Sequence, residues 1–355
     1  MEIIDWRELY ASNRAVIDAH LARAGVDAGA PAGSATLTRP ALPPPPRPAR
    51  APQGRPAGRL GEGWTLRFDL HVPASIDPAV AAPLVVALHG CTQTAATFAA
   101  GCRLNDVADR HGFVVAYPEQ GRDANPQGCW NWFTAAHQQR GAGEPALLAA
   151  TTRKVLAERE RFTVDERRVF VAGMSAGGAM ASVMAATYPD LFAAVAVHSG
   201  LAYGCARNLP AATQAMRQGG PDPRAGGAAA LAAMGAEARA MPAIVVHGTA
   251  DAIVAQVNGD DVVRQWMETN RLAAAGRYDA DFARPDTTVR EHPVGGRPFT
   301  RRRWTDRDGR LVQEQLVVDG LGHAWSGGAR GGSYTDPRGP SAAEAIWAFF
   351  AAVSR

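Results

Sequence analysis

The chain has 355 residues, with 37 lysines and arginines against 34 aspartates and glutamates, for a formal net charge of +3. So even a balance is not the electrostatic footprint of a nucleic-acid binder, and no uninterrupted run of about 18 apolar residues is present to span a bilayer. A chain of this length buries a large core, and α/β folds often exceed about 250 residues as one domain.

Taken in chain order, Ile4 to Ala24 predicts a short amphipathic helix, a first unit of residues 1–24. Residues 25–60 are rich in Ala, Pro and Arg and include Pro43-Pro44-Pro45-Pro46. Such a stretch buries too little apolar area to offset its ordering entropy, and it reads as a disordered, polyproline-like linker. The opening MEIIDWRELY carries acids early, unlike the basic start and apolar middle of a signal peptide. The expectation is a cytoplasmic protein, with export as the alternative.

Residues 61–355 read as one domain. Trp64 to Val72 alternates apolar and polar, the period of a half-buried strand. Continuous apolar runs follow at Leu84–Leu88, Phe113–Tyr117, Val169–Ala172, Phe192–Val197 and Ala243–Val246. Helical patterns fall at Ala99–Arg110, Ala146–Glu160, Gly177–Tyr188 and Asp260–Ala275. Apolar strands alternating with helices predict a doubly wound, mostly parallel sheet covered on both faces. Thr300–Thr305 and Val312–Val318 read as strands around an Asp308-Gly309 turn, and Ser341–Ala352 as a closing helix. The cluster Arg301-Arg302-Arg303 lies in one of these strands and reads as a solvated face.

The sharpest chemical signal is Gly173-Met174-Ser175-Ala176-Gly177, placed after a strand and before a helix. This is the context a GxSxG nucleophile requires. A serine on so tight a turn is strained, and the flanking glycines relieve the crowding. A serine nucleophile needs an imidazole base and a carboxylate to hold it, here in the chain order Ser, Asp, His. Asp251 lies just past the Ala243–Val246 strand, whereas Asp260 and Asp261 read as acids at a helix start. Among nine histidines, His323 sits in the glycine-rich segment Gly320-Leu321-Gly322-His323-Ala324-Trp325, after Asp251 and before the last helix. His292 is the other candidate in the right order. Oxyanion donors are expected from the backbone N–H of Ala176 and of Cys91, in the loop after the Leu84–Leu88 strand. Trp130 and Trp132, in an aromatic segment, and Trp325 are candidate substrate walls; buried packing is the alternative. The four cysteines, Cys91, Cys102, Cys129 and Cys205, show no zinc spacing and leave the redox compartment open.

Together, LHGCTQTA, FVVAYPEQ, CWNWF, GMSAGGAMA, HSGLAYG, HGTADAIV and GLGHAWSGG resemble the polyhydroxybutyrate depolymerase family of esterases, related to feruloyl and acetylxylan esterases. The resemblance runs from about Trp64 to Phe350. It implies an α/β-hydrolase fold, a Ser175–Asp251–His323 triad, oxyanion donors at Cys91 and Ala176, and a Cys91–Cys129 disulfide. The chain differs from secreted depolymerases in showing no recognisable signal peptide or polymer-binding domain. The expected activity is cofactor- and metal-free hydrolysis of carboxylic esters, short polyhydroxyalkanoate oligomers first among them. The alternatives are a feruloyl or acetylxylan esterase and a non-catalytic binding protein on a hydrolase scaffold. Oligomeric state is not legible.

Overall fold

The computed structural model of the chain describes residues 65–354. The expected helix over 1–24 and linker over 25–60 lie outside the described residues. Among those described, nine strands form one sheet in the order β1-β3-β2-β4-β5-β6-β9-β8-β7. Its parallel body is β3 (Val114–Pro118), β2 (Ala81–Leu88), β4 (Thr163–Met174), β5 (Ala194–His198), β6 (Ala243–Gly248) and β9 (Leu311–Val318). β1 (Phe68–His71) joins antiparallel at one edge, and β8 (Phe299–Thr305) and β7 (Thr287–Glu291) do so at the other.

The continuous apolar runs follow from burial on both faces. In β2, Leu84, Val86 and Leu88 enter one core cluster while Val85 and Ala87 enter the second; in β4, Val169 and Val171 part in the same way from Phe170 and Ala172. Helices cover each side. α3 (Gly143–Leu156), α4 (Ala176–Thr187), α6 (Pro223–Met234) and α7 (Val257–Ala273) contribute to the first cluster. α1 (Ala95–Cys102), α2 (Leu104–His111) and α8 (Ala342–Val353) contribute to the second. No helix among the described residues is long and apolar enough to cross a membrane.

Several sequence expectations change. The single helix predicted over Ala99–Arg110 is two, broken at Arg103, which adopts a left-handed φ of 61°. The Gly101 carbonyl, which would carry the helix across this point, instead accepts from the Ala329 amide at 2.8 Å. α5 (Leu209–Gln218) is a short amphipathic helix, whereas α6 lies in Ala- and Gly-rich sequence with little amphipathic period. Small residues suit α6 because it lies against α7: a Cβ on Gly227 would come 2.7 Å from the Glu268 Cβ. The arginine cluster is not a plain solvated face. Arg301 and Arg303 pair with the buried carboxylate of Glu314 at 3.2 and 2.8 Å. Burial still pushes the Glu314 carboxyl above its ordinary value, although both guanidiniums oppose the shift.

Candidate active site

Ser175 lies between the end of β4 and the first turn of α4 with φ 56° and ψ −122°, in the strained region that L-residues seldom enter. The flanking glycines have steric reasons. A Cβ on Gly173 would lie 2.2 Å from the Gly177 carbonyl oxygen, and one on Gly177 would lie 2.1 Å from that of Leu88. α4 can therefore touch the end of β2 backbone to backbone. This brings the loop after β2 beside Ser175: a Cβ on Gly90 would sit 3.4 Å from the Ser175 Cβ.

His323 meets both of its sequence-predicted partners. With its proton on Nδ1 it donates to Asp251 Oδ2 at 2.8 Å, and Nε2 accepts from Ser175 Oγ at 2.9 Å. The three side chains are nearly buried, at 9%, 7% and 8% exposure for Ser175, Asp251 and His323. Asp251 is fixed by amides as well, its Oδ1 accepting from Ile253 and Val254 at 3.0 and 2.9 Å. Burial alone would raise its carboxyl. His323, which donates to it, and His247 nearby outweigh burial and hold it well below the usual carboxylate range.

The Asp251 and His323 loops are tied to each other. Gly248 is so close to the base loop that a Cβ there would lie 2.1 Å from the Leu321 carbonyl oxygen, and the Ala250 amide donates to that oxygen at 3.0 Å. On the far side of His323, the Ser326 amide donates to His198 Nε2 at 3.0 Å. Burial, with His247 and His323 nearby, lowers His198 to about 3, so its ring is neutral and free to accept. The same residue's carbonyl accepts the Ser175 amide at 2.9 Å. His198 therefore fastens Ser175 and the His323 loop to one strand end. His292 instead follows the outer strand β7 and is exposed, and Asp260 lies in the first turn of α7, bonded to Gln256 and Gln315 at 3.0 and 2.7 Å.

The loop after β2 is braced from several directions. Cys91 and Cys129 are joined in a disulfide. The Trp130 indole N–H donates to the His89 carbonyl at 3.1 Å, and the Gln120 amide donates to His89 Nε2 at 3.1 Å. The buried Glu144 carboxylate accepts from Gln120 and from the Asn131 amide, the latter at 2.7 Å. Among the described residues, neither the Cys91 nor the Ala176 amide donates a hydrogen bond within the chain.

The tryptophan expectation needs correction. Trp130 and Trp325 are buried at 0% and 1% exposure, and Trp132 at 5%. Trp325 packs edge-on against Phe98 and stacks on His198 at 4.9 Å, so it supports the base loop from behind instead of presenting a face to a ligand. The half-exposed aromatic at the triad is Tyr334, which the sequence reading missed. Its ring meets His323 at 6.3 Å and 77°, and no periodicity or motif marks it. A cavity of about 440 Å³ lined by Gln138, Arg140, Tyr203 and Arg207 includes none of the three triad residues in its wall, so cavity size does not locate the chemistry.

Residues 66–292 match the family described as Esterase PHB depolymerase, a span that holds Ser175 and Asp251 and ends before His323. Poly(3-hydroxyalkanoate) depolymerase C of Paucimonas lemoignei is 36% identical over 260 residues, 73% of this chain and 58% of that protein. Feruloyl esterase B of Neurospora crassa is 38% identical over 149 residues, 42% of this chain and 48% of that protein. The chain thus spans between 48% and 59% of the length of the first curated relatives it matches. An acetyl xylan esterase structure from Aspergillus awamori superposes with a TM-score of 0.62 at 24% identity, covering 80% of this chain and 93% of that one, a likeness of fold. With a match over most of its described residues, on a sheet and strand-to-helix turn of α/β-hydrolase type, the chain belongs to the Esterase PHB depolymerase family.

Proposed function

We propose that this protein is a serine esterase that hydrolyses carboxylic esters, with short polyhydroxyalkanoate oligomers as its substrate class. The observation that carries the reading is the hydrogen-bonded chain from Ser175 Oγ through His323 to Asp251. Ser175 Oγ attacks the ester carbonyl as its proton passes to His323 Nε2. The carbonyl oxygen becomes an oxyanion held by the Cys91 and Ala176 amides, with the α4 N-terminus behind them. The C–O bond to the alcohol breaks as His323 returns the proton to the leaving oxygen, forming an acyl-Ser175 ester. Water, deprotonated by His323, then releases the carboxylic acid and restores Ser175. Asp251 stays ionised throughout and stabilises the imidazolium.

The test is Ser175→Ala assayed with p-nitrophenyl butyrate. Turnover falls about 10⁴-fold or more while the circular dichroism spectrum is kept; wild-type turnover in that variant overturns the reading. Labelling of Ser175 by a fluorophosphonate separates an esterase from a binding protein on the same scaffold. The curated feruloyl and acetylxylan esterase relatives favour a second substrate reading. Comparing kcat/KM for hydroxybutyrate oligomers, feruloylated sugars and acetylated sugars decides between them. The Cys91–Cys129 bridge favours work in an oxidising compartment over the cytoplasm expected from sequence. Thiol counting on protein isolated from its host under alkylating conditions tests this: two free thiols support it, four overturn it.

A further inference from the structure

Tyr334 lies beside the triad, where its half-exposed ring meets that of His323 at 6.3 Å and 77° and its phenol oxygen lies 3.4 Å from Thr92 Oγ1. Thr92 directly follows Cys91. The ring therefore bridges the loop of the base and the loop of the expected oxyanion donor. Both residues hold left-handed backbones, φ 51° at Tyr334 and 65° at Thr92, a conformation unfavourable for side chains with a Cβ.

The surrounding structure enforces that conformation. The Tyr334 carbonyl accepts the Trp325 amide at 2.6 Å. Gln93 donates to the neighbouring Ser333 carbonyl at 2.9 Å while its Oε1 accepts the Gly90 amide at 2.9 Å. Strain held by contacts from two loops, beside reactive groups, marks a residue placed for a purpose beyond packing.

We propose that Tyr334 determines specificity for the alcohol part of the ester. The inference rests on the esterase reading above. His323 must hand its proton to the leaving oxygen, so the alcohol passes next to its imidazole, while the carbonyl oxygen faces Cys91 and Ala176. The group edge-on to His323 and joined to Thr92 thus borders the path of the alcohol, not the acyl chain. The phenol oxygen lies 3.4 Å from Thr92 Oγ1, long for a pair of hydroxyls, so the phenol can turn its proton to a better acceptor on the substrate. That proton favours an alcohol bearing a second oxygen acceptor, such as the carbonyl of an adjoining ester unit.

The experiment uses the full chain, wild type and the variants Tyr334→Phe and Tyr334→Ala, with two ester series. One series fixes the butyryl group and compares the alcohol methyl 3-hydroxybutyrate with alkyl alcohols of equal length. The other fixes the alcohol and lengthens the acyl chain from acetyl to octanoyl. In Tyr334→Phe, the kcat/KM preference for the acceptor-bearing alcohol falls about tenfold, the discrimination of one hydrogen bond. Tyr334→Ala flattens the whole alcohol series, and the acyl-length preference keeps its order in both variants. Unchanged alcohol preference in both, or a reordered acyl preference instead, overturns the role of Tyr334. Fluorophosphonate labelling run alongside separates the two levels. Wild-type protein that does not label overturns the esterase reading itself, and labelled variants with unchanged alcohol preference overturn only this inference.

Discussion

At the scale of single residues, the carboxylate is held more firmly than a dyad with His323 alone would hold it. His247 Nε2 donates to the Val254 carbonyl at 2.8 Å and lies 3.5 Å from Asp251 Oδ2, and both residues are sealed from solvent. His247 holds the turn whose amides clamp Asp251, and on the proposed mechanism it is a positioning residue. Asp251→Asn should lower kcat about 10⁴-fold, because the amide cannot stabilise the imidazolium or enforce the Nδ1 tautomer. His247→Leu removes the fixing hydrogen bond and leaves the triad atoms in place. It should lower kcat about tenfold with KM changed little, as expected for misalignment of a reacting group. Steady-state kinetics on the two variants check this, and an effect of His247→Leu confined to KM would contradict the assignment. Gly177 belongs to the same scale. Gly177→Ala forces a Cβ against the Leu88 carbonyl, and should destabilise by about 1–3 kcal/mol in urea unfolding.

At the scale of elements, the loop after β2 is not a free βα turn. It is stapled to the CWNWF segment by the Cys91–Cys129 bond and propped by Trp130 and by the Glu144–Gln120–His89 chain of hydrogen bonds. The two cysteines are separated by 38 positions. Cross-linking a loop of that size removes enough freedom from the unfolded chain to stabilise by about 3–4 kcal/mol. A Cys91→Ala/Cys129→Ala double variant should lose stability of that order by urea unfolding. On the proposed mechanism its kcat should fall further than its KM rises, because the oxyanion donors it would loosen act on the transition state. Full kcat in the double variant would show that the loop holds its geometry without the bond.

At the scale of the whole molecule, buried histidines set how stability depends on pH. Burial lowers His198 from 6.5 to about 3, and burial also lowers His89, against the pull of its Gly90 carbonyl. Between about pH 6.5 and 3 the unfolded chain binds a proton at His198 that the folded chain refuses. Stability is therefore full above about 6.5 and declines as the pH falls below it. Asp261 and Glu314, raised by burial, act in the opposite sense at lower pH, so the histidine contribution is best isolated by difference. Urea midpoints measured from pH 7 to 5 should drop more steeply for the wild type than for His198→Gln. Parallel slopes would show that His198 does not resist protonation.

Much of this protein is written locally. A strand buried on both faces needs apolar residues without alternation, so β2, β4, β5 and β6 were readable as such. A serine turn that tolerates no Cβ beside it needs glycines, so GMSAG was readable too. The helix α6 carried only weak periodic signal, and α5, though amphipathic, spans only 10 residues; Asn208 and Asp222 cap their N-termini. Edge strand β7, exposed along most of its length, gave no apolar pattern to read. What chain order alone could not decide was contact. Backbone approach at Gly177 and Gly248, made by residues far apart in sequence, joins the β2, β4, β6 and His323 loops into one rim. That packing turned Trp130 and Trp325 inward, broke the predicted helix at Arg103 through the Gly101 carbonyl, and set Tyr334 beside His323. Periodicity records which faces a segment buries, but only the assembled sheet determines which loops meet at its end.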